Sequence, residues 1–350
     1  MKRKDNVFKV AGVYASVIIG AGFASGQELM KFFVDYGQAG VIGLLISGAL
    51  FSLVGWAVLE MCHENGFGYQ ELIQHCMGKN LGLVTEVAAA FFMYVLYVTM
   101  IAGTGATLNQ VFDLEFSVGA AAGALVCFIA MMFDLEGLME INSKLAPVLA
   151  AGGILIGLFA FARQSAPAMA IEGSPRWLFS SLTYTSYNIV TSISVLAAMG
   201  KTISSKKTCR RAALLGGGLM TVLGLCMLYP LYLYYSYAAP AEVPLLLIAN
   251  RFGLAFEYFY FITLMCAIFT TAISNGFALS AWAGNRLGIN PLAAKAFLAL
   301  SAFAVSHIGF SMFVSKVYPV FSLIGTIEIA AIFIAWKRGK KKALDMPEAA

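Results

Sequence analysis

The chain has 350 residues, 60% of them hydrophobic and only 12% charged, with a mean hydropathy of +0.81. Soluble domains carry roughly 25% charged residues, so this composition excludes a soluble globular protein and predicts an all-α polytopic membrane protein. The net charge of +5 reads as orientation toward anionic headgroups, with membrane lipids rather than nucleic acid as the charged partner.

At about 20 residues per crossing, ten spans are predicted over 8–34, 38–61, 82–109, 117–133, 145–162, 176–199, 212–236, 255–281, 292–308 and 314–336. The apolar segment 240–251 is too short to span and is assigned to an extracytoplasmic loop helix; 337–350 is a cytoplasmic tail. With the N-terminus inside, 18 of the 23 Lys and Arg residues fall on the cytoplasmic side, as the positive-inside rule requires. Both termini are then cytoplasmic, and 1–350 forms a single transmembrane domain. A signal-peptide reading of 1–26 is disfavoured, because cleavage would leave nine spans and put the basic segments 201–211 and 337–342 outside.

Span one contains Ile19-Gly20-Ala21-Gly22-Phe23-Ala24-Ser25-Gly26-Gln27-Glu28. Three glycines and a polar run at the centre of a membrane helix weaken it where lipid most demands helix. Such a break survives only where it is buried in protein or lines a cavity, and broken helices build the solute sites of many transporters. Glu28 follows the break as a gating or coupling candidate, since intramembrane acids are functional hypotheses by default.

Glu86 opens span three as an interfacial residue, and Tyr94 and Tyr97 lie midway along it. Asp134, Glu136 and Glu140 form an acidic cytoplasmic loop. Span five (Ala146 to Ala162) holds no lysine; Lys144 sits at its end. Span six is crowded with polar groups from Ser180 to Ser194, including Tyr184, Tyr187 and Asn188. Its hydroxyls either glue helices and back-bond to their own carbonyls or line a site; Asn188 is hardest to account for as filler, because both halves of its amide need partners. Cys209, in the basic loop before span seven, is expected to react with an impermeant thiol reagent from the cytoplasm. Span eight carries Thr270-Thr271, readable as helix packing or as an ion site. Glu328 in span ten lies inside the apolar slab, as a coupling or gating candidate or a structurally paired acid. The six cysteines make no CxxC pair, the three histidines match no metal spacing, and no phosphate loop is present.

Five spans in each half, 8–162 and 176–336, give the halves opposite orientations, so a repeat would be inverted. Gly20-Ala-Gly22 after Val-Ile-Ile resembles the first-helix signature of amino acid/polyamine/organocation transporters. The wider string through Gln27-Glu28 resembles the bacterial membrane proteins called YkvI-like, grouped with the LeuT-fold transporters. The resemblance implies a LeuT-like 5+5 inverted repeat of ten transmembrane helices with helices 1 and 6 broken. It implies a substrate carboxylate at the amides of Gly20, Ala21 and Gly22 and a tyrosine, Tyr97, beside the substrate; Ser25 and the polar cluster of span six, with Tyr184, Tyr187 and Asn188, are read as further substrate residues facing the break. It also implies Na+ held between the carbonyls of Ser16 and Ile19 and the hydroxyls of Thr270 and Thr271, oxygen ligands that suit a hard cation. The lysine-free span five favours sodium over protons in that comparison.

The expected function is secondary transport of an amino acid or related small zwitterion or amine by alternating access, sodium-coupled and without a cofactor. A proton-coupled symporter or exchanger with Glu28 titrating, and a ligand-sensing receptor subunit, stand as alternatives. No constellation of catalytic side chains at one depth suggests an enzyme. Substrate identity and oligomeric state are not legible at this level.

Overall fold

A computed structural model describes residues 7–132, 135–163 and 174–344. The chain runs through α1 (Val7–Ile18), α2 (Ala21–Ala24), α3 (Gln27–Phe32), α4 (Gln38–Asn65), α5 (Tyr69–Met77), α6 (Lys79–Phe112), α7 (Phe116–Ala130) and α8 (Leu135–Ala162). It continues through α9 (Trp177–Gly200), α10 (Lys206–Leu233), α11 (Tyr235–Ala238), α12 (Pro244–Asn250), α13 (Leu254–Leu287), α14 (Pro291–Ser306), α15 (Phe310–Met312) and, after a π turn, α16 (Tyr318–Leu344). Helix occupies all ten predicted spans, and five segments among the described residues are long and apolar enough to cross a membrane. Large apolar side chains such as Leu158, Phe297, Leu300, Val320 and Leu323 are exposed on the outer surface, as expected where lipid is the solvent. The acidic loop of Asp134, Glu136 and Glu140, together with Lys144, lies outside the described side chains.

Span one breaks where its glycines predict. Helix α1 stops at Ile18, the Gly20 N–H turns back to the Ile18 carbonyl at 2.9 Å, and Gly26 takes φ +85° at a second elbow before α3. That left-handed conformation is one that only glycine adopts at little cost.

Span six corrects the expectation of a second break, because α9 is one continuous helix. Its sequence holds no Gly or Pro between Trp177 and Met199. Its polar groups satisfy carbonyls of their own helix one turn back: Thr185 Oγ1 donates to Ser181 O (2.9 Å), Asn188 Nδ2 to Tyr184 O (3.0 Å) and Ser192 Oγ to Asn188 O (2.8 Å). Back-bonding of this kind anchors polar side chains without opening the ladder.

The packing has a five-span offset built into it. Helix α1 lies on α10 as α9 lies on α4; α6 pairs with α7 as α13 pairs with α14; α8 lies on α10 as α16 lies on α4. The seams are lined by small residues that let backbones touch. A Cβ on Gly217 of α10 would sit 2.8 Å from the Gly48 carbonyl of α4, and one on Gly325 of α16 would overlap the Ser186 carbonyl of α9. Ser186 and Thr326 hydroxyls bond across that second seam at 2.9 Å.

Helix α5, unannounced in the sequence, lies between spans two and three, where Glu71 Oε2 accepts from the Gly68 N–H at its start (2.8 Å); the backbone N–H of Glu71 itself, and then that of Gly68, hold the carboxyl below its usual range. Glu86 is not simply interfacial. It is buried and accepts from Arg286 Nε (2.9 Å) and Nη2 (2.6 Å), Trp282 Nε1 (3.3 Å) and Gln70 Nε2 (3.2 Å), tying α5, α6 and α13 together at one end of the molecule. Cys209 is also corrected: it sits in α10, fully buried against Leu59, and will not label.

Two outcomes test this packing. Gly325→Ala is expected to cost about 1–3 kcal/mol through overpacking of the α9–α16 seam, read as a lowered melting temperature; an unchanged one would mean that the seam does not close this tightly. Lys207, exposed at the start of α10, is the proper reporter of orientation. In a background lacking Cys76, Lys207→Cys should react with an impermeant maleimide only from the cytoplasmic face, and labelling from outside reverses the topology.

Candidate solute cavity at the broken helix

The break in span one is a local surplus of backbone polarity. Among the described residues no N–H donates to the carbonyls of Ser16, Val17 or Ile19, and the amides of Ala21, Gly22 and Phe23 meet no acceptor. Groups of this kind are costly in an apolar setting unless a cavity supplies partners.

That cavity exists. It has a volume of about 400 Å³ and is lined by the break itself together with α6, α9, α13 and Tyr318 at the start of α16. Of the residues singled out in the sequence, it brings together Ser16, Ile19, Gly20, Ala21, Gly22, Glu28, Tyr187, Asn188, Thr270 and Thr271. Thr271 faces the break: its Oγ1 lies 3.9 Å from where a Cβ on Gly20 would stand. Thr270 Oγ1 donates to Ala267 O at 3.1 Å, which leaves its lone pairs for another partner. Asn275, one turn on, donates to the Thr271 carbonyl at 2.8 Å.

Four expected residues lie elsewhere. Ser25 is buried in the second elbow, where its hydroxyl donates to Gly22 O (2.8 Å) and accepts from Gln27 N–H (3.2 Å). Tyr184 packs behind Tyr187, with ring centroids 4.9 Å from Phe33 and 5.6 Å from Tyr187. Tyr97 is buried against Gly276 of α13, while the face of α6 that meets the cavity carries Phe92, Met93, Leu96 and Met100. Glu328 is wholly buried on α16, away from the cavity. The pairing expected for it is absent: both carboxyl oxygens lack a hydrogen-bond partner among the described residues.

Sequence reasoning missed Phe92, Met93, Ser274, Asn275 and Tyr318. The polar members of that set sit within two turns of Thr270 and were discoverable by helical spacing. Phe92 and Tyr318 were not, since aromatic residues abound in this chain.

The cavity extends past Val13, Ser194 and Ala278, toward the end of the molecule that carries α5, and is shut at the α12 end. There Phe32, Tyr187, Phe92 and Tyr318 form an aromatic layer with centroid separations of 5.2–6.1 Å. Behind it α12 is tied to the second elbow: Leu245 N–H donates to Ser25 O (3.0 Å) and Gln27 Nε2 to Ala241 O (2.8 Å). Tyr260 of α13 donates to Ala24 O at 2.7 Å.

This architecture recurs among solved structures. The chain superposes on Mhp1 in an inward-facing conformation with a TM-score of 0.69 (12% identity, 95% of this chain and 77% of that one). It superposes on MhsT in complex with L-phenylalanine at 0.66 (14% identity, 93% and 96%), and on the Eremococcus coleocola manganese transporter at 0.63 (12% identity, 94% and 78%). The chain has the LeuT fold. In sequence it is similar to two Bacillus subtilis proteins, the uncharacterized membrane protein YkvI (25% identity over 339 residues, 94% of this chain and 96% of the relative) and the uncharacterized protein YyaD (25% over 323 residues, 91% and 93%). No family model matches it. Among these structures, that of the Eremococcus coleocola protein is named as a manganese transporter.

Tyr260→Phe deprives the Ala24 carbonyl of its donor. It is expected to cost about 0.5–1.5 kcal/mol and to speed amide hydrogen exchange across Ser25–Met30, measured by mass spectrometry; unchanged exchange would remove Tyr260 from the support of the elbow.

Proposed function

We propose that the protein is a secondary transporter that moves a small amine-bearing solute, an amino acid or a related compound, by alternating access coupled to sodium. The observation that carries this reading is the meeting of the interrupted span one with Thr270 and Thr271 of α13 across a closed-ended cavity of about 400 Å³. A pocket of that size suits a metabolite-sized ligand.

In this reading the two halves, 8–162 and 176–336, are inverted repeats, and Ser16, Ile19, Thr270 and Thr271 hold the ion. Carbonyl and hydroxyl oxygens alone suit a hard cation, and the carbonyls exposed by the break are free to serve. Gly20, Ala21, Gly22, Tyr187 and Asn188 hold the solute beside it. Because ion and solute share one cavity, each stabilises the conformation the other needs, which is the linkage a symporter requires. With the N-terminus cytoplasmic, a cavity open past Val13 and Ser194 and shut at α12 is the inward-facing state. The sialic acid symporter among the similar structures is described as Na+-coupled (TM-score 0.57, 14% identity), which accords with sodium as driver.

The test is the melting temperature of detergent-purified protein in sodium against potassium chloride, with and without a panel of amino acids and amines. A ligand that binds only the folded state raises the melting temperature with concentration. Sodium is expected to stabilise and to strengthen solute binding, and Thr271→Ala to raise its half-saturating concentration by about tenfold, one ligand's worth of free energy. Equal melting curves in the two salts, in both proteins, would remove the sodium site.

A further inference from the structure

Glu28 is the one carboxyl among the residues that line the cavity. It is almost completely buried, and its Oε2 has no hydrogen-bond partner among the described residues. Tyr187 stands beside the carboxyl, and the hydroxyls of Tyr187 and Tyr318 are buried with no partner at hydrogen-bond geometry among the described residues. A carboxylate in such a place needs a cation or a proton to compensate it, and no Lys, Arg or His lines the cavity to supply the cation.

The rings around it supply the rest of a cation site. Phe92, Tyr187 and Tyr318, all on the cavity wall, have mutual centroid separations of 6.1, 5.6 and 5.2 Å. Aromatic cages with an acid are how proteins hold organic ammonium groups. The position of the carboxyl also argues against the opposite charge: a Cβ on Gly22 would lie 2.8 Å from the Glu28 Cδ, so the acid rests directly on the backbone of the break. An incoming carboxylate at the Gly22 amide would meet it at close range, where like charges repel.

We infer that Glu28, with Phe92, Tyr187 and Tyr318, forms a subsite for the ammonium group of the solute, so that the protein selects organic amines by their positive end. This assignment rests on the cavity being the solute site and narrows the solute class to cations and to zwitterions read through their ammonium. Glu28 is then a binding residue, and the carboxyl end of a zwitterion points away from Gly22.

The experiment uses ethyl- and butylammonium as probes, against ethanol, butanol and butyrate, with purified wild type, Glu28→Gln and Glu28→Asp. The ammonium ions should raise the melting temperature of wild type in a saturable way, and the alcohols and butyrate should not. Glu28→Gln should weaken the ammonium effect about tenfold or more, the scale of one charge-assisted hydrogen bond, while Glu28→Asp keeps the preference for ammonium over alcohol. Should the Gln variant not fold, Phe92→Leu carries the test, with ammonium affinity expected to fall several-fold as a ring is lost. Absence of an ammonium-specific shift in wild type, or an equal shift in Glu28→Gln, overturns the subsite. A shift specific to butyrate overturns it too, while leaving the cavity as a solute site. Loss of the sodium effect with the ammonium effect intact would sink the coupling and spare the subsite.

Discussion

The backbone of span one has to be satisfied in a place where water is scarce. Each N–H and C=O that leaves a helix ladder in apolar surroundings needs another partner, and here the carbonyls of Ser16, Val17 and Ile19 and the amides of Ala21 to Phe23 all leave it within eight residues. The remainder of the fold is arranged around that surplus. Helix α13 offers hydroxyls, α9 an amide and a phenol, and α12 ties the far elbow from behind. The cavity is what remains between them.

Holding an interrupted helix in place requires that its surroundings do not give. The glycine-lined contacts supply this, because backbones that touch leave no side chain to repack. Gly217 on Gly48 fastens α10 to α4, and Gly325 on Ser186 fastens α16 to α9. Both seams flank the first span, and the Glu86 clamp secures α6 to α13 on the other wall of the cavity.

Much of this was legible in the sequence, for identifiable reasons. Ten apolar stretches of membrane length and one glycine-rich interruption are signals that need no tertiary information, and helix occupies each stretch, broken in span one where the glycines fall. The break expected in span six was implied by the resemblance and not by its residues, which hold no Gly or Pro; its hydroxyls could as well line an opening as bond back to their own carbonyls, and Asn188 does both, lining the cavity while donating to Tyr184 O. Tyr97 was misplaced by the phase of α6. One residue along a helix turns the side chain by about 100°, so Leu96 meets the cavity and Tyr97 meets Gly276. Glu86 gave no sign of its partners, since Arg286 lies 200 positions away in the chain.

The continuity of α9 has a mechanical consequence. A transporter built from two matched halves with two flexible joints can bend alike at either face, but this molecule has a joint in one half and a stiff post in the other. Span one is accordingly a pair of short arms beside a fixed upright, with α1 lying along α10 up to the break at Gly20 and the second arm held by α12 and Tyr260. The two ends of the break are accordingly secured by unlike devices: helix packing on α10 at one and a strapped loop at the other.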